Sequence, residues 1–244
     1  MTGKPLTKNL NRRSVIAGTV AVGTVGTWAG TLEWLSARAE AEPLLRPPGA
    51  LEEKRFLASC IKCGQCVQVC PYHSLKLLDF LDGAGMGTPY LDAMKRGCYL
   101  CDLFPCVLCC PSGALKSDVQ QIEQVEMGIA VVSDHDSCWA KTGRKVTEKE
   151  VKRVAFHGGH TELEVGLNQK LEREVGKTCS LCVAVCRVED TCNAIRIVNG
   201  APQIGRKCVG CGACAEVCPE SIIKILPRKS WEDAYGDHGN KELK

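Results

Sequence analysis

Eighteen cysteines stand in 244 residues, and their spacing constrains the fold more than any other feature. "CIKCGQCVQVCP" places Cys60, Cys63, Cys66 and Cys70 before Pro71. "CYLCDLFPCVLCCP" places Cys98, Cys101, Cys106 and Cys110 before Pro111, and "CVGCGACAEVCP" places Cys208, Cys211, Cys214 and Cys218 before Pro219. A further stretch, "TCSLCVAVCRVED", holds only Cys179, Cys182 and Cys186, with Arg187 where the proline would be. This is an internal repeat that groups as two pairs. With 5% aromatic residues, such small modules rarely build a large core alone, so disulfides or metals must organise them.

The pattern C-x2-C-x2-C-x3-C-P favours metal, and a multi-iron metal in particular. Three thiolates on a tight loop take three irons of a [4Fe–4S] cubane, and the fourth, on the helix beyond, ligates the neighbouring cluster of the pair. Gly64, Gly210 and Gly212 let backbone N–H groups approach cluster sulfurs, and the proline fixes the chain's exit where no amide donor is needed. Zinc knuckles use two separated C-x2-C pairs instead. A disulfide framework would require improbable cross-pairing repeated at every motif. The second motif departs only in its x4 gap between Cys101 and Cys106. Cys109, beside Cys110, is left over as a small buried apolar residue.

The incomplete motif lacks a first cysteine, and Cys138 in "SDHDSC" stands free upstream, behind the strand signal "GIAVV" (128–132). The favoured reading is a complete motif split by the forty residues 139–178. The ligand sets are then 60/63/66/110, 98/101/106/70, 138/179/182/218 and 208/211/214/186. The rival reading closes the third site locally with Cys192. The insertion carries nine Lys/Arg and six Asp/Glu, a net +3 equal to that of the whole chain. Capping boxes at Thr147-x-x-Glu150 and Thr161-x-x-Glu164, with Leu163, Leu167, Leu171 and Val175 at four-residue spacing, predict a helical hairpin. It turns near "HGGH" (157–160) and stops at Gly176. It is either a docking element for a partner or anionic lipid, or a decoration packed on the body. His157 and His160 read as exposed turn histidines rather than a metal or haem site. "AIRIVNGAPQI" (194–204) predicts a hairpin turning at Asn199-Gly200.

Residues 1–42 read as an export signal. Arg12-Arg13 directly precedes a mild apolar run, Val15 to Leu32, and "ARA" (37–39) and "AEA" (39–41) offer cleavage points. A single membrane anchor is the alternative, although the run is short and glycine-rich. The twin-arginine route carries folded proteins, so the expected destination is the periplasm, with cofactors already in place. Residues 43–55, "PLLRPPGAL" onward, read as a proline-rich extended linker. A first dicluster module is expected at 56–126, a second at 127–228 and a tail at 229–244. The fold class is α+β: two tandem bacterial-type dicluster ferredoxin-like modules with small metal-organised cores and a helical-hairpin insertion. A net charge of +3 gives no case for nucleic acid. No nucleotide fingerprint, triad or paired catalytic carboxylates occur, so no catalytic residue is assigned.

The chain resembles a family, the periplasmic polyferredoxins of the NapG/MauM type. The likeness rests on the twin-arginine signal, "RPPGAL" (46–51), "CGQCVQVCPY" (63–72), "GTPY" (87–90), "PC…CPSGAL" (105–115), "MGIAV…SDHDSC" (127–138) and the final "CVGCGAC". It spans nearly all of 46–226. In the family the third motif has a much shorter gap after its first cysteine and a proline after its last. The resemblance implies four [4Fe–4S] clusters acting as a wire. It implies an electron donor in a membrane quinol-oxidising ferredoxin-type protein (NapH-like), and an acceptor in a periplasmic reductase, such as nitrate reductase, or a c-type cytochrome. The alternatives are the iron–sulfur subunit of another molybdenum-dependent reductase, or a maturation or interaction module with structural clusters.

Overall fold

The computed structural model describes residues 43–80, 85–154, 161–188 and 191–236, apart from the side chains of Thr191 and Cys192. The segment read as an export signal, the turn expected at "HGGH", the end of the tail and the Cys192 thiol lie outside the described residues. The described residues make one compact unit. Among the described residues no helix is long and apolar enough to cross a membrane.

Helices are short and strands shorter, as a chain organised around cysteine loops requires. The first half contains α1 (Glu53–Ser59), α2 (Gln65–Gln68), β1 (Leu75–Leu77), β2 (Pro89–Leu91) and α3 (Pro105–Leu108). β1 and β2 pair antiparallel with Leu75 opposite Leu91. The proline-rich segment is extended but is built into this half. Leu45 bridges Leu91 and Ala50 bridges Leu115. Arg46 is buried: its guanidinium donates to Thr88 Oγ1 (3.0 Å), to the Pro89 carbonyl (2.8 Å) and to Glu53 (2.6 Å). Burial would raise the Glu53 carboxyl, but Arg46 and Arg228 outweigh it and hold it below its ordinary value. Sequence composition suggests a tether here because prolines forbid a helix. They do not forbid the edge pairing that this segment makes.

The second half contains β3 (Gly128–Val132), α4 (Glu148–Val154), α5 (Glu162–Glu172), α6 (Leu181–Ala184), α7 (Thr191–Ala194), β4 (Ile195–Val198), β5 (Ala201–Ile204), α8 (Ala213–Val217), β6 (Ile223–Pro227) and α9 (Trp231–Tyr235). β3 pairs antiparallel with β6, Gly128 opposite Pro227, so the strand entering the module lies beside the strand leaving it. β4 and β5 form the hairpin predicted at Asn199-Gly200, whose φ values of 50° and 78° are those of the left-handed turn that Asn-Gly favours. The start of the tail folds onto this half: Trp231 Nε1 donates to the Ile204 carbonyl and Tyr235 Oη to that of Ala130, both at 3.1 Å.

Within the insertion, α4 and α5 pack through Val151, Val154, Leu167 and Leu171 into one apolar cluster with Tyr72, Tyr99 and Val217. Thr147 and Thr161 sit at the two helix starts. The Thr147 N–H donates to Glu150 (3.2 Å), while Thr161 Oγ1 accepts from the Glu164 N–H (3.2 Å). The Glu164 carboxylate does not turn back to close its box. It is buried against His73 Nδ1 (3.0 Å), and Thr161 Oγ1 also donates to the Pro71 carbonyl. Arg153 donates to the carbonyls of Glu216 and Cys218, each at 3.2 Å. The insertion therefore touches both halves. Four of its Lys/Arg side chains pair with carboxylates, two within the segment (Lys152–Glu148, Lys177–Glu174) and two outside it (Lys141–Asp136, Arg144–Glu220).

Candidate metal centres

The cysteine loops share one backbone scheme that the sequence shows only in part. The residue before the second cysteine is left-handed in three motifs: Lys62 (φ 59°), Leu100 (φ 46°) and Gly210 (φ 68°). The short helix that follows starts after another left-handed residue, Gly64, Phe104 or Gly212. The third residue after the last cysteine is left-handed again, at His73, Gly113 and Ser221. Glycine marks some of these positions; Leu100, Phe104, His73 and Ser221 give no such signal. The incomplete motif differs: α6 follows Ser180, whose φ is −138°.

Three small cavities lie beside these loops, each lined by four cysteines from separate stretches of the chain. Numbered by the motifs in chain order, the second site's cavity is lined by Cys70, Cys98, Cys101 and Cys106, the third's by Cys138, Cys179, Cys182 and Cys218, and the fourth's by Cys186, Cys208, Cys211 and Cys214. Cys60, Cys63 and Cys66 lie on the more open loop before and within α2, with Cys63 exposed. Cys110 packs against the same core as Cys60 and Cys66. Burial acts to raise the Cys110 thiol, but the N–H groups of Leu115, Ser112 and Ala114 and the Ser112 hydroxyl outweigh it and hold it low. Cys109 is half-buried, its Sγ donating to the Cys106 carbonyl at 3.4 Å.

The forty residues between Cys138 and Cys179 leave the two lining one cavity, because stems 144–146 and 176–179 pair. The Val146 N–H donates to Lys177 O (2.9 Å), the Gly176 N–H to Val146 O (2.8 Å) and the Cys179 N–H to Arg144 O (3.2 Å). Lys145 and Thr178 form the bridge between these stems. An Asx turn at Asp134, which accepts from the Asp136 N–H (2.9 Å), leads into Cys138. On the rim, Trp139 Nε1 donates to Glu220 (2.6 Å), just beyond Cys218-Pro219.

The donor set fits an iron–sulfur cluster. All seventeen described cysteines are free thiols, and the cavity walls are apolar, with Leu181, Ile222 and Ile223 in one and Ala130, Ile195 and Ile225 in another. Burial, reinforced by neighbouring cysteines, pushes the thiols up: Cys101 to about 11, Cys66 and Cys211 to about 12, and Cys98 and Cys214 well above the ordinary thiol value. Four thiolates crowded into such a place require positive charge to stay ionised, which ligated iron provides.

The 4Fe-4S dicluster domain family matches residues 59–114, and the 4Fe-4S binding domain family matches residues 205–224. Across its length the chain is 36% identical to the methylamine utilization ferredoxin-type protein MauM of Methylobacillus flagellatus, covering 91% of this chain and 82% of that protein. It is 32% identical to MauM of Methylorubrum extorquens, over 91% of each chain. It is likewise 32% identical to the ferredoxin-type protein NapG of Escherichia coli, over 93% of this chain and 88% of that one. The chain belongs to the MauM/NapG family of ferredoxin-type proteins. As a member it is an iron–sulfur electron-transfer protein that binds [4Fe–4S] clusters, in an α+β fold. No solved structure matches it.

Proposed function

We propose that this member of the MauM/NapG family is a periplasmic relay with four [4Fe–4S] clusters. In this reading it takes electrons from a membrane quinol-oxidising ferredoxin-type partner and passes them to a periplasmic reductase or c-type cytochrome. The observation that carries the reading is the set of three cavities, each walled by four cysteines drawn from paired motifs. The ligand sets are 98/101/106/70, 138/179/182/218 and 208/211/214/186, with 60/63/66/110 completing the four. When bound, each cluster supplies a store for one electron. The chain's residues set how readily it fills. Apolar burial disfavours the added negative charge, while Lys62, Arg187, Arg206 and Lys207 beside the cysteines favour it. The chain is organised as two dicluster modules, 56–126 and 127–228, joined in one unit.

Redox titration of anaerobically purified protein, followed by EPR, is expected to show every cluster reduced and reoxidised reversibly. Clusters that resist reversible reduction would make them structural and remove the relay function. Export is expected to use the twin-arginine route. Changing Arg12 and Arg13 to Lys should hold the iron-loaded protein in the cytoplasm, and undiminished export of that variant would refute the route.

A further inference from the structure

We infer that the four cysteine sites are strung in the order first, second, fourth, third, and that one peptide contact, Gly97-Cys98 against Cys211–Ala213, is the bridge between the two halves. The inference rests on the relay reading above and adds the internal path to it.

The contact is made by ligand-bearing backbone on both sides. The Cys98 N–H donates to the Cys211 carbonyl at 2.8 Å, and Cys98 lies in a parallel bridge with Gly212. Cys98 lines the second site's cavity and Cys211 the fourth's. Nothing bulkier than a main chain separates them there. A Cβ on Gly97 would stand 2.5 Å from Ala213 N and Gly212 C, so glycine is what allows the approach. The approach is locked from the side by Glu216, which is 3% exposed. Its carboxylate accepts from the Gly97 N–H (2.7 Å) and Tyr99 Oη (2.9 Å) and pairs with Arg96 (3.3 Å). A second link joins the same two sites: Arg187, next to Cys186, donates to Asp102, next to Cys101, at 3.0 Å.

The other pairings place the remaining sites at the ends. Helix α2 of the first motif packs on α3 of the second, and α6 of the third packs on α8 of the fourth. Between the second and third sites stands a layer of side chains, with no backbone hydrogen bond between their ligands among the described residues. Tyr72 and Tyr99 line the second cavity and Leu181 the third, and all three belong to one apolar cluster, with the two tyrosine rings 4.9 Å apart. Electron tunnelling falls off exponentially with the gap between redox centres, so a main-chain hydrogen bond between ligands is the shorter crossing. One electron crosses, with no bond made or broken and no proton moved.

Spin coupling between reduced clusters, read by EPR on dithionite-reduced holoprotein, tests the order. Cys182→Ala removes the third site under any assignment of its fourth ligand. Coupling between the halves should persist in that variant, whereas its loss along with the third site would move the crossing there and overturn the order. Gly97→Ala keeps every cysteine and should lose the coupling between halves while each half keeps its own. Gly166→Ala, whose added Cβ meets nothing within 4 Å, should change neither. Unaltered coupling in an iron-replete Gly97→Ala protein would overturn the role of the contact. If that variant loses iron, the Cys182→Ala result decides alone. Failure of all four sites to accept electrons would instead defeat the relay reading itself, which separates the two ideas.

Discussion

Cys138→Ala should lower the iron content of anaerobically purified protein from about sixteen atoms to about twelve, or to about fifteen where a three-iron remnant survives, at four irons per cubane. Cys192→Ala should leave it unchanged. The asymmetry follows from position. Cys138 is buried and lines one cavity with Cys179, Cys182 and Cys218, and the Arg144–Val146 and Gly176–Cys179 stems close the insertion behind it. A local closure by Cys192 would leave Cys138 as a buried thiol facing the ligands Cys179 and Cys182. It would also free Cys218, which the two-by-two exchange of fourth cysteines assigns to this site. Iron and sulfide per chain, with EPR of the reduced protein, decide between the two. Full iron in Cys138→Ala together with a deficit in Cys192→Ala would reverse the assignment.

The elements that sequence makes legible here are those specified locally. "GIAVV" becomes β3 and Asn199-Gly200 turns a hairpin because strand and turn preferences act over a few residues. The cysteine pattern is legible for the same reason, since ligand spacing is fixed by the size of what is bound. The bridge between halves is not legible. Gly97 looks like any glycine before a cysteine, and its meaning comes from Ala213, more than a hundred residues on. Glu216 likewise reads as a helical surface residue until Tyr99, Arg96 and the Gly97 N–H surround it. The leucine stripe of the insertion is legible only in part. Side chains four apart advance by about 40° around a helix of 3.6 residues per turn. The stripe therefore winds: Leu167 and Leu171 are buried while Leu163 is exposed. The pairing of the 144–146 and 176–179 stems, which lets Cys138 and Cys179 line one cavity, involves residues with no alternating pattern to announce a strand.

Gly210→Ala should cost the second half more than about 3 kcal/mol and take the fourth site's iron with it, from about sixteen atoms to about twelve. The backbone angle is not the main reason. The equivalent positions in the other motifs, Lys62 and Leu100, hold φ values of 59° and 46° with full side chains, at the roughly 1–2 kcal/mol that a left-handed L-residue costs. What differs at Gly210 is its neighbour. An added Cβ would stand 2.2 Å from Gly128 C and 2.4 Å from Gly128 O. Gly128 cannot retreat, because a Cβ on it would already meet the Leu226 carbonyl at 2.3 Å, so β3 is pressed against β6 on the other side. Every atom involved is main chain, and no flexible side chain is available to yield. The loop carrying Cys208, Cys211 and Cys214 must shift instead, away from Cys186 and from its contact with Cys98. Gly64→Ala in the first motif is the control. Its Cβ meets only Leu77 Cδ1 at 3.8 Å, so the cost should stay near the conformational 1–2 kcal/mol with full iron. For a chain of this size each kcal/mol moves the melting midpoint by about 2–4 °C, so the two variants should separate clearly by thermal melting and iron analysis. A Gly210→Ala protein that keeps its iron and melts with Gly64→Ala would show that β3 and the fourth loop are not pressed together as described.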